Sequence, residues 1–314
     1  MSASPASETI ARDFFRALNR LHRSPWLKLL DPGPLPFIQR RLARGAGTPV
    51  IREARLFFGP AMEVVLPEVV SEQIHGYGLF DDLVTWLALC AVEPGDVVYD
   101  VGAHFGYFSL LFAALSGPGG SVCAFEPTPS TFAVLARNAA RDARILATNA
   151  AAGASAGRLP ISDYGLRYSA WNTLDGTGRL GVGAASIEAA RVEVAVVTLD
   201  AFSAESGTVP GFVKIDAENF EPEVLAGAAG LLQSARPSLL LEAGSARAGE
   251  LADSLARAGY RAFSTDEPGV LSELPDAAGA ARRCKDVLFA AGARADRLAP
   301  RARALAAARQ RRAG

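Results

Sequence analysis

The sequence predicts an α/β fold: a doubly wound, mostly parallel sheet of seven strands, preceded by an N-terminal helical segment. Three observations carry this expectation. Short β-branched runs alternate with helix-period apolar patterns from residue 97 onward, the order that builds parallel βαβ units. The run Val97-Val-Tyr-Asp-Val101 turns at Gly102 and Gly106, and glycines between a strand and a helix let a ligand lie against bare backbone. Half of the 314 residues are apolar, enough for one large domain with a full core.

The elements follow in chain order. Ile10, Phe14, Phe15, Leu18 and Leu21 recur at helical spacing within residues 7–23, and Asp31-Pro-Gly-Pro-Leu-Pro36 interrupts the pattern. Residues 1–70 are read as a lid or docking segment that packs on its own domain or on a sister subunit. A basic amphipathic helix on a membrane surface is the alternative. From Asp81 a helix runs toward Cys90 and stops before Glu93-Pro-Gly95. The main domain, residues 71–291, has strands expected at 97–101, 121–126, 144–149, 212–216, 237–242, 260–264 and 285–290. A further run at 192–197 reads as either a core strand or a hairpin beside the sheet. Helices are expected at 106–116, 130–141, 220–233 and 246–258. The glycine-rich piece 154–191 reads as loop flanking a pocket, with Asp163, Tyr164, Tyr168, Trp171 and Asn172 as candidate substrate contacts. The segment 292–314, rich in Arg and Ala, reads as a solvated helical tail.

Composition removes several function classes. A net charge of −1 gives no electrostatic case for nucleic acid. No uncharged apolar stretch reaches the roughly 18 residues that a membrane span needs. The first residues lack the basic start and apolar stretch of a secretory signal. Cys90, Cys123 and Cys284 are few and widely spaced, which suits buried thiols in a reducing compartment. The expectation is a soluble cytoplasmic protein. Of 32 basic residues only Lys28, Lys214 and Lys285 are lysine, which draws attention to Lys214 inside a motif.

Four strand ends carry the chemistry. Asp100 and the Gly102–Gly106 turn form the floor of a nucleoside site, and Glu126 closes Ser121-Val-Cys-Ala-Phe-Glu126 where an acid accepts hydrogen bonds from ribose hydroxyls. The spacing Asp-x-Gly-x-x-x-Gly differs from the dinucleotide fingerprint. In Phe212-Val-Lys-Ile-Asp216 the strand period puts Lys214 and Asp216 on one face, and Leu239-Leu-Leu-Glu242 brings another acid to the same edge. Asp216, Glu218 and Glu242 are of the type that gathers a hard divalent cation such as magnesium. Hydrogen bonding to helix N-termini is the alternative use for these acids, and Asp200 is read as a helix cap.

As an ordered set over residues 70–290, several segments resemble the S-adenosylmethionine-dependent methyltransferases of the FkbM type. They are Gly78-Leu-Phe-Asp81, Asp100-Val-Gly-Ala-His-Phe-Gly-Tyr-Phe-Ser109, Phe125-Glu-Pro-Thr-Pro129 and Leu135-Ala-Arg-Asn138, followed by Asn149-Ala-Ala, Thr198-Leu-Asp200, Lys214-Ile-Asp-Ala-Glu-Asn-Phe-Glu221 and Val224-Leu-Ala-Gly-Ala228. The resemblance implies a class I, Rossmann-like methyltransferase fold with S-adenosylmethionine as donor. Its donor contacts are then Asp100, Gly102, Ala103, His104, Gly106, Glu126, Pro127, Asn149 and Ala150. It implies O-methylation of a hydroxyl on a small molecule, natural product or sugar. Such a hydroxyl ionises about as reluctantly as water, near ~15.7, so a general base must take its proton. Asp216 is the first candidate for base or substrate anchor, with Lys214, Glu218 and Glu242 behind it. Where the family has Glu-Gly, this chain has Glu218-Asn219. Asn tolerates a positive φ better than most residues, so the turn is expected to survive. Two other readings stay open: a non-catalytic nucleoside-binding scaffold, and a nicotinamide oxidoreductase, which the missing Gly-x-Gly-x-x-Gly and Tyr-x-x-x-Lys disfavour. A homo-oligomer also stays open.

Overall fold

The computed structural model describes residues 4–22, 35–46, 48–172, 179–182, 185–242, 247–281 and 284–310. Helix α1 (Pro5–Leu21) starts where Ser4 Oγ accepts the Ser7 N–H and proline fixes the first turn. Its stripe of Phe14, Phe15 and Leu18 is buried, and Phe14 stacks on Trp86 with ring centroids 6.3 Å apart. The N-terminal helix therefore packs on its own domain. Helix α2 (Leu35–Ala46) and the hairpin of β1 (Val50–Arg55) with β2 (Ala61–Leu66) follow. Then come α3 (Val69–Tyr77), capped by the Glu68 carboxylate, and α4 (Asp82–Ala91).

The sheet begins with β3 (Val97–Val101), α5 (Tyr107–Ser116), β4 (Ser121–Phe125), α6 (Pro129–Ala139) and β5 (Ile145–Thr148). A side branch then leaves it. Strands β6 (Ala151–Ala152) and β7 (Gly157–Asp163) precede a 3-10 helix, Leu166–Trp171, and the hairpin of β8 (Arg179–Val182) with β9 (Ala185–Glu188). Strand β10 (Ala190–Val197) closes the branch by pairing with β6 and β7. The chain re-enters the sheet through α7 (Leu199–Ser206), β11 (Phe212–Ile215), α8 (Glu221–Ala226), α9 (Ala229–Ser234) and β12 (Ser238–Glu242). It finishes with α10 (Ala248–Arg257), β13 (Tyr260–Ser264), β14 (Ser272–Leu274), α11 (Ala277–Ala281), β15 (Asp286–Ala291) and α12 (Gly292–Ala307).

Among the described residues the main sheet has eight strands in the order β14-β13-β15-β12-β11-β3-β4-β5. The expected seven are all present, and the short edge strand β14 is the addition. Strands β5, β4, β3, β11 and β12 run parallel, whereas β15 is antiparallel to both of its main neighbours. Residues 192–197 lie in the side sheet and not in the core, so the second of the two readings holds. Successive residues such as Val98 and Tyr99, or Leu240 and Leu241, drop into the two different core layers. That is the burial expected of strands covered by helices on both faces.

Three further expectations change. The piece 154–191 holds strand β7, the 3-10 helix and the β8–β9 hairpin as well as loop, and β7 is paired antiparallel by β10, which begins at its end with the register Asp163↔Ala190. The helix expected at 220–233 is broken into α8 and α9 at Gly227 and Ala228, where the Gly227 carbonyl accepts the Asp200 N–H at 3.0 Å. The backbone there passes so close to the Gly153 carbonyl that a Cβ at 227 would lie 2.0 Å from its oxygen. Helix α12 buries Ala295, Leu298, Arg301, Ala302 and Leu305, so this segment is packed where composition suggested a solvated tail. No described helix is long and apolar enough to cross a membrane.

Candidate functional site

A cavity of about 290 Å³ opens at the carboxyl ends of β3, β4, β11 and β12, with β15 contributing from the side. Ligands sit at this edge in open α/β sheets because loop amides and helix N-termini converge there. The floor is the turn after β3. Gly102 has φ +75, and a Cβ on it would lie 1.8 Å from the Asp216 carbonyl oxygen. Glycine is thus required both for the left-handed turn and for the approach of the β11 end. The Gly102 and Ala103 amides both donate to the Phe125 carbonyl, which ties the floor to β4. Gly106, with φ +92, is the N-cap of α5 and does not itself line the cavity.

Glu126 is buried and lines the cavity. Its Oε1 accepts the Thr128 N–H at 3.0 Å and its Oε2 the His104 N–H at 3.1 Å. Burial pushes its carboxyl up to about 7, although these N–H donors favour the charged form. His104 sits in the left-handed region with φ 51, and its Nε2 lies 2.8 Å from Ser169 Oγ. Desolvation drives this imidazole down to about 3, so it is neutral at physiological pH.

The structure brings most of the sequence-derived set to one cavity: Gly102, Ala103, His104, Glu126, Pro127, Ala150, Lys214, Asp216, Glu218 and Glu242 all line it. Asn149 does not. Its Nδ2 donates to the Glu126 carbonyl at 2.8 Å and the Pro127 carbonyl at 2.9 Å, so the side chain organises the loop. Asp100 lies fully buried beneath the floor. Of the five candidate contacts in 154–191, only Asn172 reaches the wall, where its Oδ1 accepts the Tyr164 N–H at 2.8 Å.

At the far end, the Lys214 Nζ donates to Asp216 Oδ2 at 3.0 Å, as the strand period requires. Burial disfavours the Asp216 charge, but the Lys214 ammonium outweighs it and holds the carboxyl below its ordinary range. The neighbouring acids go the other way. Burial and the Asp216 charge push Glu242 up to about 8 and Glu218 up to about 7. Burial and Asp81 push Asp286 up to about 7. The oxygens of Asp216, Glu218 and Glu242 come within 4.8 Å of one another. This is the trio noted as candidate cation ligands, and Lys214 already neutralises part of its charge.

Sequence reasoning missed the roof and one side wall. Val70 and Ile74 of α3, with Ser169 and Ala170 of the 3-10 helix, line the cavity, as do Lys285 and Asp286. Lys285 holds Asp81 at 3.6 Å, and Asp81 caps α4 by accepting the Val84 N–H. The scarcity of lysine was the available signal for Lys285. The apolar roof residues carry no signal until the tertiary fold brings them over the strand ends.

The family model described as the methyltransferase FkbM domain matches residues 100–262. The 31-O-demethyl-FK506 methyltransferase FkbM of Streptomyces tacrolimicus is 58% identical over 50 residues, which cover 16% of this chain and 19% of that protein. The chain thus aligns with about a fifth of the length of this curated relative. Methyltransferase FkbM from Methylobacillus flagellatus shares 17% identity at a TM-score of 0.40, covering 72% of this chain and 56% of the other. Aeropyrum pernix fibrillarin, solved with natively bound S-adenosyl-L-methionine, shares 12% identity at a TM-score of 0.37, covering 77% of this chain and 99% of the other.

Proposed function

Because the chain belongs to the methyltransferase FkbM domain family, we propose that it transfers a methyl group from S-adenosylmethionine to a hydroxyl of a small molecule, natural product or sugar. The observation that carries this reading is Glu126: a buried carboxylate, held by two backbone N–H groups, that lines a cavity on the strand ends. Each of its oxygens keeps a lone pair for a ribose hydroxyl. The floor also fits the donor, since a glycine at 102 leaves the backbone bare where a Cβ could not stand. Pro127 and Ala150–Ala152 offer an apolar wall of the kind that an adenine packs against.

When bound, S-adenosylmethionine supplies a methyl carbon activated by its sulfonium. The chain's own part is to align an oxygen with that carbon and to take the oxygen's proton. Alignment of this kind is worth on the order of 7–11 kcal/mol. Asp216, held ionised by Lys214, acts as the anchor for the incoming hydroxyl. Glu242, whose carboxyl is pushed up to about 8, serves as the base in its ionised form, where its raised proton affinity makes it a stronger acceptor than an ordinary carboxylate, so turnover should rise with pH through about 8. Val70, Ile74 and Phe80 cover the cavity and exclude water from the transfer.

The test is calorimetric titration of the full chain with S-adenosylmethionine. Micromolar binding is expected, with Glu126→Gln weakening it more than about tenfold, or ~1.4 kcal/mol. A folded protein that binds no donor, or a Glu126→Gln variant that binds it as well as the parent, would overturn the reading.

A further inference from the structure

We propose that Asp100 is a positioning residue: its buried carboxylate holds the Lys214 ammonium, and Lys214 in turn fixes Asp216 at the transfer end of the cavity. The inference rests on the donor-binding reading above and gives Asp100 a part other than donor contact. Asp100 is fully buried and does not line the cavity. Its Oδ2 accepts the Ser109 hydroxyl at 2.6 Å, while its Oδ1 has no hydrogen-bond partner. A buried carboxylate oxygen left in that state is costly unless a cation stands near. The cation is Lys214, whose Nζ is 4.0 Å away. Burial pushes the Asp100 carboxyl up, and the Lys214 ammonium and the Ser109 hydroxyl oppose that push and favour its charged form.

The backbone sets this pair. Asp100 and Lys214 are register partners on the adjacent parallel strands β3 and β11, so their side chains rise on the same face. Lys214 is 4% exposed, and its Nζ stands 5.2 Å from the centre of the Phe108 ring on α5. Asp216, Glu218, Asp286 and the neutral His104 ring are the other titratable groups that act on it. One ammonium therefore lies between two carboxylates, one beneath the floor and one in the cavity. Without the lower carboxylate, Lys214 would be a desolvated cation supported mainly from the cavity side. It would then compete with a sulfonium donor for the same anionic groups. Asp100 absorbs part of that charge from below and leaves Asp216 oriented by a fixed partner.

The chain has three lysines, so lysine-selective isotope labelling of the full protein gives three side-chain resonances, with Lys214 assigned by its loss in Lys214→Met. In Asp100→Asn the Lys214 titration midpoint should fall by roughly one pH unit or more. Affinity for S-adenosylhomocysteine should change less than about threefold. Either an unshifted Lys214 midpoint or a tenfold loss of affinity overturns the proposal. The reciprocal measurement does not need the Asp100 variant to fold: in Lys214→Met the Asp100 carboxyl should take up a proton at pH 7, read from its 13Cγ resonance. A carboxylate still ionised there overturns the pair. A parent protein that fails to bind S-adenosylhomocysteine refutes the donor reading instead, and the Lys214 midpoint still decides on the ion pair.

Discussion

The turn after β11 shows how far a single residue type can be read. Glu218 and Asn219 have φ of 50 and 74, two consecutive non-glycine residues in the left-handed region. Asn219 is exposed, so no packing repays its strain, and asparagine is the non-glycine residue that best tolerates such a φ. Asn219→Gly should leave stability within about 0.5 kcal/mol, because relief of strain is offset by the larger freedom of the unfolded chain. Asn219→Val should cost at least ~1–2 kcal/mol, since a β-branched Cβ crowds the following carbonyl. Urea denaturation measures both, and equal midpoints would show that the turn is not left-handed. Asparagine at 219 was legible because identity and conformation are tied there. Asn149 and Asp100 were less so. Their identities say that they bond strongly, not whether the partner is a ligand, two loop carbonyls or a lysine on the next strand.

At the scale of elements, helix α12 decides how the N-terminal segment and the sheet are joined. Arg301 is buried, donating to the Leu89 carbonyl at 3.1 Å and the Val92 carbonyl at 2.5 Å, with Ser7 Oγ at 3.4 Å. Leu89 belongs to the last turn of α4 and Val92 is its C-cap. Helix ends leave such carbonyls unpaired, and a cation suits the negative end of the dipole. Arg294 and Arg297 add ion pairs to Asp96 and Glu93 just before β3. Arg301→Ala should therefore lower stability by about 2–4 kcal/mol, because two buried carbonyls lose their donor. Arg303→Ala, on an exposed face of the same helix, should stay within about 0.5 kcal/mol. Denaturant midpoints that match for the two variants would mean that α12 is not docked. The parallel strands were legible because short apolar runs recur in order between helix-period patterns. The docked helix was not, because an Arg/Ala frame looks solvated until the carbonyls that the arginine caps are brought to it by the rest of the fold.

Over the whole molecule, the same topology that builds the cavity concentrates its acids. Strands β3, β11 and β12 end at one edge while the antiparallel β15 begins there, so Asp216, Glu218, Glu242 and Asp286 converge from separate parts of the chain. Alternation along each strand placed Lys214, Asp216 and Glu242 correctly from sequence. Which acids keep a proton depends first on burial and, at Glu218 and Glu242, on the Asp216 charge beside them, which only the tertiary fold sets. Glu126, Glu218 and Asp286 are pushed up to about 7 and Glu242 to about 8, from ordinary values near 4. For each, the native state binds a proton that the unfolded chain has released, so stability falls as pH rises through the native value. His104 and His75 work in the opposite sense: burial lowers both, so their contribution grows with pH and is complete above about 6.5. Carboxyls held low by arginine, such as Glu93, where Arg297 outweighs burial, lose their contribution only as pH falls below the ordinary glutamate range. The sum is a protein whose stability declines between roughly pH 6.5 and 8.5. Thermal unfolding should show a lower Tm at the alkaline end of that window. Glu242→Gln should flatten the decline, because a neutral side chain no longer has to ionise beside Asp216. A Tm that rises across the window would mean that these carboxyls are already ionised in the native state at pH 6.5. In that case the crowding at the strand ends would be relieved in solution, and Glu242 would titrate too low to serve as the base.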